Sequence, residues 1–61
     1  MKIRVIVADD HKLLAQSLGS TLNSTADFEV VSVCHNSKDT LWDLELYHPD
    51  VLLLDLNMPL V

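Results

Sequence analysis

The sequence predicts an α/β domain: a parallel three-stranded sheet of order 2-1-3 with one helix on each face. Three observations predict it. Apolar segments of strand length recur at Ile3–Ala8, Phe28–Cys34 and 51–56. Segments with helical periodicity alternate with them, which makes two consecutive βαβ units. The links are only a few residues long, so right-handed crossovers fix the topology once the first strand is placed in the middle.

Each element has its own signal. IRVIVA (3–8) is β-branched and nearly continuously apolar, which suits a central strand covered on both faces. Across 13–23, Leu14, Leu18 and Leu22 recur every fourth residue beside Ala15, the stripe expected of an amphipathic helix. Gly19 weakens that helix without ending it. NSTAD (23–27) is a cluster of turn formers and reverses the chain. FEVVSVC (28–34) alternates imperfectly around three valines, as expected of a strand with more solvent contact at a sheet edge. Asn36 and Ser37 offer a helix N-cap. Thr40, Leu41, Leu44 and Tyr47 then share a face, and His48-Pro49 closes the helix. The segment 51–56 is apolar at every position but Asp55, which predicts a third strand.

Composition narrows the function. A chain of 61 residues has room for one small unit, and 49% apolar with 21% charged residues is a folding composition. A net charge of −5 with four Lys and Arg argues against direct nucleic-acid binding, which needs clustered basic residues. Cys34 has no second cysteine to pair with, so a reducing cytoplasmic location is expected. MKIRVIVADD reaches an acidic pair too early for a signal peptide or a membrane span.

The chemistry lies in three carboxylates. Asp9 and Asp10 follow the first strand and Asp55 ends the third, so the 2-1-3 order brings all three to one sheet edge, where open α/β sheets bind ligands. Like charges so placed raise one another's pKa or recruit a cation, and a sparse set of hard oxygen donors suits Mg²⁺. With the charge neutralised, an aspartate can act as a nucleophile toward phosphorus. The competing reading makes Asp9 and Asp10 simple caps of the first helix. Capping does not explain Asp55.

VADDH (7–11) and PDVLLLDLNMP (49–59), with their separation, resemble the receiver domain of bacterial two-component response regulators. IRVIVADDHKLLAQSL and DFEVV (27–31) are similar to the NarL/LuxR-type regulators in particular. The resemblance implies that Asp55 is the phosphoacceptor, served by a sensor histidine kinase. It implies that Asp10 binds Mg²⁺, or Mn²⁺ in its place, directly. Asp9 would do so mainly through water, and Asn57 through its main-chain carbonyl. Met58 and Pro59 match the loop after the acceptor, and His11 is assigned no chemistry. Residues 1–61 then correspond to a partial receiver domain, strands 1–3 and helices 1–2 of a truncated flavodoxin-like fold whose full order is 2-1-3-4-5. The family's fourth-strand hydroxyl residue, fifth-strand lysine and helix-turn-helix effector fall outside this sequence, and neither Lys12 nor Lys38 takes the lysine's place. A signalling module rather than an enzyme is expected, from a transcriptional regulator, and one that does not switch on its own.

Other readings compete. A haloacid-dehalogenase-type phosphatase also uses a strand-terminal Asp, but with Asp-x-Asp spacing, where this chain has Asp55-Leu56-Asn57. A structural or engineered half-domain that self-associates through an open edge of the third strand is the other alternative. Trp42 and Leu46, four apart and off the Leu44 face, are either an interface or ordinary exposure. Asp39 and Asp43 read as a solvated face.

Overall fold

The computed structural model describes residues 1–58. The element order is β1 (Ile3–Ala8), α1 (Lys12–Asn23), β2 (Phe28–Cys34), α2 (Ser37–Tyr47) and β3 (Val51–Leu54). The sheet order is β2-β1-β3 and both pairings are parallel, as the sequence predicts. Central β1 supplies the deepest residues: Val5, Ile6, Val7 and Ala8 are all buried. Alternation along β1 divides the core in two. Ile6 and Ala8 pack with Cys34, Met58, Leu44, Tyr47 and Leu52 on the α2 face, while Val5 and Val7 pack with Ala15, Leu22, Phe28, Val30 and Val33 on the α1 face.

The imperfect alternation of β2 has a structural cause. The β1–β2 register slips between Val5 and Ile6: Val5 pairs with Val30, and Ile6 with Ser32. The extra residue is a bulge that resets the phase of the strand. Val30 and Val33, three apart, therefore share the α1 face, and Ser32 and Cys34 reach toward α2.

Expectations for α1, α2 and the third strand need correction. In α1 the inward line is Ala15, Gly19 and Leu22, whereas Leu14 and Leu18 are exposed. Small residues let the helix lie close to the sheet: a Cβ on Gly19 would sit 3.2 Å from Val33 Cγ2. Beside Gly19 there is no room for a larger side chain, so Leu14 and Leu18 flank the line and only Leu22, in the last turn, packs inward. In α2, Thr40 is buried and Leu44 and Tyr47 are packed, but Leu41 is exposed and joins Trp42 and Leu46 on the outer side. The third strand ends at Leu54 rather than at residue 56, because Asp55 opens a turn closed by the Met58 N–H donating to the Asp55 carbonyl at 3.1 Å. Leu56 lies on that turn and is almost fully exposed.

Helix α2 is well delimited. The Asn36 side chain accepts from the Asp39 N–H at 2.8 Å and its amide donates to the Asp39 carboxylate at 3.0 Å, satisfying one of the helix's free donors. His48 ends the helix in the left-handed region, at φ 46°, with its N–H on the Leu44 carbonyl. Asp43 is no solvated residue: its carboxylate accepts from the Ser32 hydroxyl and, at 3.1 Å, from the Cys34 thiol, tying α2 to the edge strand. Burial first, and then the Asp43 carboxylate, push the Cys34 thiol above its ordinary pKa.

Candidate functional site

The ladder carries the acidic residues to one edge. Beyond the last β1–β2 pair, the Asp9 N–H donates to the Cys34 carbonyl at 3.0 Å. Beyond the last β1–β3 pair, the Asp55 N–H donates to the Ala8 carbonyl at 2.9 Å. Asp9, continuing β1, is thus tied to the end of β2, and Asp55, continuing β3, to the end of β1, by hydrogen bonds that extend the sheet. One donor atom from each of Asp9, Asp10, His11 and Asp55 lies within 4.8 Å of every other. The 2-1-3 topology thereby brings together the three carboxylates singled out in the sequence.

Asp9 is buried and Asp10 exposed, with Asp55 between them. Asp9 Oδ1 accepts from the His11 N–H at 2.9 Å, a short turn ahead of α1. That bond is not a helix cap: His11 itself is the N-cap residue, it makes no side-chain capping bond, and the first turn of α1 holds no acidic residue. Capping therefore does not account for the pair. The Asp9 carboxyl is held below its ordinary pKa, chiefly by the His11 N–H and then by the His11 ring, with burial opposing. Asp55 Oδ1 accepts from the Asn57 N–H at 3.0 Å, which fixes the carboxylate at the start of its turn. Met58 anchors the same turn by burying its side chain against Ile6, Ala8 and Cys34. Pro59 lies outside the described residues.

His11 occupies a place the sequence did not reveal. Its Nδ1 is 3.0 Å from Asp9 Oδ1, 3.2 Å from Asp10 Oδ1 and 3.8 Å from Asp55 Oδ2. The ring is raised above its ordinary pKa, first by the hydrogen bond to Asp9 and then by the Asp10 charge. The three carboxylates around the ring favour its protonated form. A helix-start histidine has no spacing signal for this, because the partner Asp55 comes from a distant strand.

The donor set fits a hard divalent cation: carboxylate oxygens from two strands at one edge, with Asp9 and Asp55 positioned by the backbone. Asn57 lies on the same turn, two residues beyond Asp55.

Sequence comparison decides the family. The model of the response regulator receiver domain matches residues 5–61. The chain belongs to this family. Among curated proteins, the receiver is 37% identical over 60 residues to the transcriptional regulatory protein DegU of Brevibacillus brevis, covering 98% of this chain and 25% of that protein. It is 35% identical over 57 residues to the oxygen regulatory protein NreC of Staphylococcus aureus, covering 93% of this chain and 26% of that protein. These two relatives are in line with the likeness to NarL/LuxR-type regulators. It is also 38% identical over 60 residues to a protein-glutamate methylesterase/protein-glutamine glutaminase of Clostridium acetobutylicum, covering 98% of this chain and 17% of that protein. The receiver spans about a quarter or less of the length of these relatives. Receiver membership displaces the haloacid-dehalogenase-type alternative.

Proposed function

We propose that this receiver is a phosphoacceptor module of two-component signalling, in which Asp55 takes a phosphoryl group from a sensor histidine kinase in a Mg²⁺-dependent reaction. The observation that carries the reading is the convergence of Asp9, Asp10 and Asp55 at the carboxyl edge of β1 and β3. Asp10 and Asp55 hold the ion, or Mn²⁺ in its place, with the Asn57 main-chain carbonyl, and Asp9 contributes mainly through water. Bound there, the ion neutralises the cluster and draws charge from the transferred phosphoryl oxygens.

Asp55 is the nucleophile of choice for a geometric reason. Its Oδ1 is engaged by the Asn57 N–H, and its Oδ2 is the oxygen directed toward the cluster. Oδ2 forms the new O–P bond as the P–N bond of a phosphohistidine breaks, the imidazole nitrogen leaving with the electron pair. Asp9 and Asp10 remain carboxylates throughout.

The parent protein is proposed to be a cytoplasmic transcriptional regulator, to which residues 1–61 contribute the first part of the receiver. No catalytic turnover is assigned to these residues, and the methylesterase/glutaminase name belongs to the relative that carries it. Among the described residues no helix is long and apolar enough to cross a membrane. Nucleic-acid binding is assigned outside this acidic segment, as is the surface change that follows phosphorylation.

Taken alone, the chain is proposed to self-associate. Among the described residues β3 pairs only with β1, and Val51, Leu53 and Leu54 are each about 40% exposed. Asp50 and Asp55 flank that strand, so charge repulsion opposes pairing and added salt favours it. Sedimentation at rising concentration and ionic strength checks this, and a strictly monomeric mass throughout contradicts it.

A Mn²⁺ titration followed by NMR tests the metal reading. The amides of Asp9, Asp10, Asp55 and Asn57 should broaden first, and Asp10→Asn should abolish the effect. Broadening centred elsewhere overturns the assignment.

A further inference from the structure

His35 follows β2 and was given no role by the sequence. Its Nδ1 lies 3.1 Å from the main-chain carbonyl of Asp9. The ring is partly buried, and the preceding residue, Cys34, accepts from the Asp9 N–H through its own carbonyl. Consecutive residues at the end of the edge strand thus hold both main-chain groups of Asp9. A carbonyl only accepts, so the proton in the His35 contact is on Nδ1.

The consequence falls on Asp10. The Asp9 carbonyl and the Asp10 N–H belong to one planar peptide unit, so fixing the first sets the orientation of the second and the departure of the Asp10 Cα. Asp10 needs such help. Its side chain is more exposed than those of Asp9 and Asp55, and its close contact within the cluster is the His11 ring.

We propose that His35 is a positioning residue for the acidic site: it orients the Asp9–Asp10 peptide from the edge strand, and so sets the direction from which Asp10 approaches a bound divalent cation. This rests on the reading of Asp9, Asp10 and Asp55 as a metal site. Partners behind the ligands of a metal site commonly govern affinity in this way. His35 touches neither the ion nor the phosphoryl group.

Two variants separate positioning from folding. In His35→Asn the amide nitrogen is as many bonds from the backbone as Nδ1 is, so the donor is retained. In His35→Leu it is lost. Mg²⁺ binding, followed through the Asp9 and Asp10 amide resonances, is expected to weaken about ten-fold in His35→Leu. In His35→Asn it should stay near the wild-type value. Without metal, the Asp10 amide resonance should move in His35→Leu and return in His35→Asn, and the neutral His35 ring of the wild-type chain should be the Nδ1–H tautomer. Equal Mg²⁺ affinity in a folded His35→Leu chain overturns the proposal, and so does an Nε2–H tautomer. Should His35→Leu not fold, the tautomer and the His35→Asn chain decide. A wild-type chain that binds no Mg²⁺ refutes the metal reading instead, while the metal-free measurements still judge His35.

Discussion

Replacing Asp43 with alanine should destabilise the receiver by about 2 kcal/mol. Its carboxylate accepts from the Ser32 hydroxyl and from the Cys34 thiol, two donors on the edge strand. A hydrogen bond to a charged group contributes about 1.5–3 kcal/mol, and a thiol is a weak donor. Water at the sheet edge recovers part of the loss at Ser32, which brings the sum to about 2 kcal/mol. For a domain of this length total stability is about 3–9 kcal/mol, so the loss is a large share. Unfolding entropy of about 2.1 cal/mol/K per residue gives about 0.13 kcal/mol/K for the chain, so the midpoint falls by about 15 °C. Both bonds end on Oδ2, so Asp43→Asn keeps the acceptor but not its charge, and it should lose about half as much. Thermal unfolding followed by circular dichroism, with the rate of Cys34 labelling by a thiol reagent, checks both. Labelling should accelerate in Asp43→Ala, because the thiol loses its acceptor and a neighbouring negative charge that raises its pKa. A midpoint within 2–3 °C of wild type (about 0.3 kcal/mol) in Asp43→Ala, with unchanged labelling, would falsify the idea that this clamp holds α2 on β2.

Two further outcomes are expected. Without metal, the Asp9–His11 pair stabilises the fold over a defined pH range. Asp9 is lowered from 3.8, so its contribution is present above that value and is lost as pH falls through its lower folded pKa. His11 is raised from 6.5, so its contribution is complete below that value and is lost as pH rises through its higher folded pKa. His11→Gln should therefore flatten the decline of the unfolding midpoint above pH 6.5, and identical slopes in the two chains contradict the pairing. Asn36→Ala removes the α2 N-cap and should cost about 1 kcal/mol, or about 8 °C in the midpoint, whereas an unchanged midpoint would show that α2 does not depend on this cap.

The sheet was legible because its signals are local. Three short apolar runs, separated by helical stretches and short links, leave few topologies, and the convergence of Asp9, Asp10 and Asp55 follows from strand order alone. What escaped depends on contacts between distant segments. Leucine spacing could not show that Ala15 and Gly19, not Leu14 and Leu18, face the sheet, because the closeness of the helix to Val33 sets that line. Asp43 looked solvated because its partners, Ser32 and Cys34, lie on another element and are phased by a bulge. His11 ends the VADDH motif without a role that the motif assigns, His35 belongs to no motif, and each acquires its place only when β1, β2 and β3 end side by side.

The central chemistry is tested most directly by the intact mass of the chain after incubation with acetyl phosphate and Mg²⁺, beside Asp55→Asn and a sample containing EDTA. Asp55 as phosphoacceptor predicts the addition of one phosphoryl group that disappears in both controls. An unchanged mass in the folded wild-type chain, or an adduct that survives in Asp55→Asn, would contradict it.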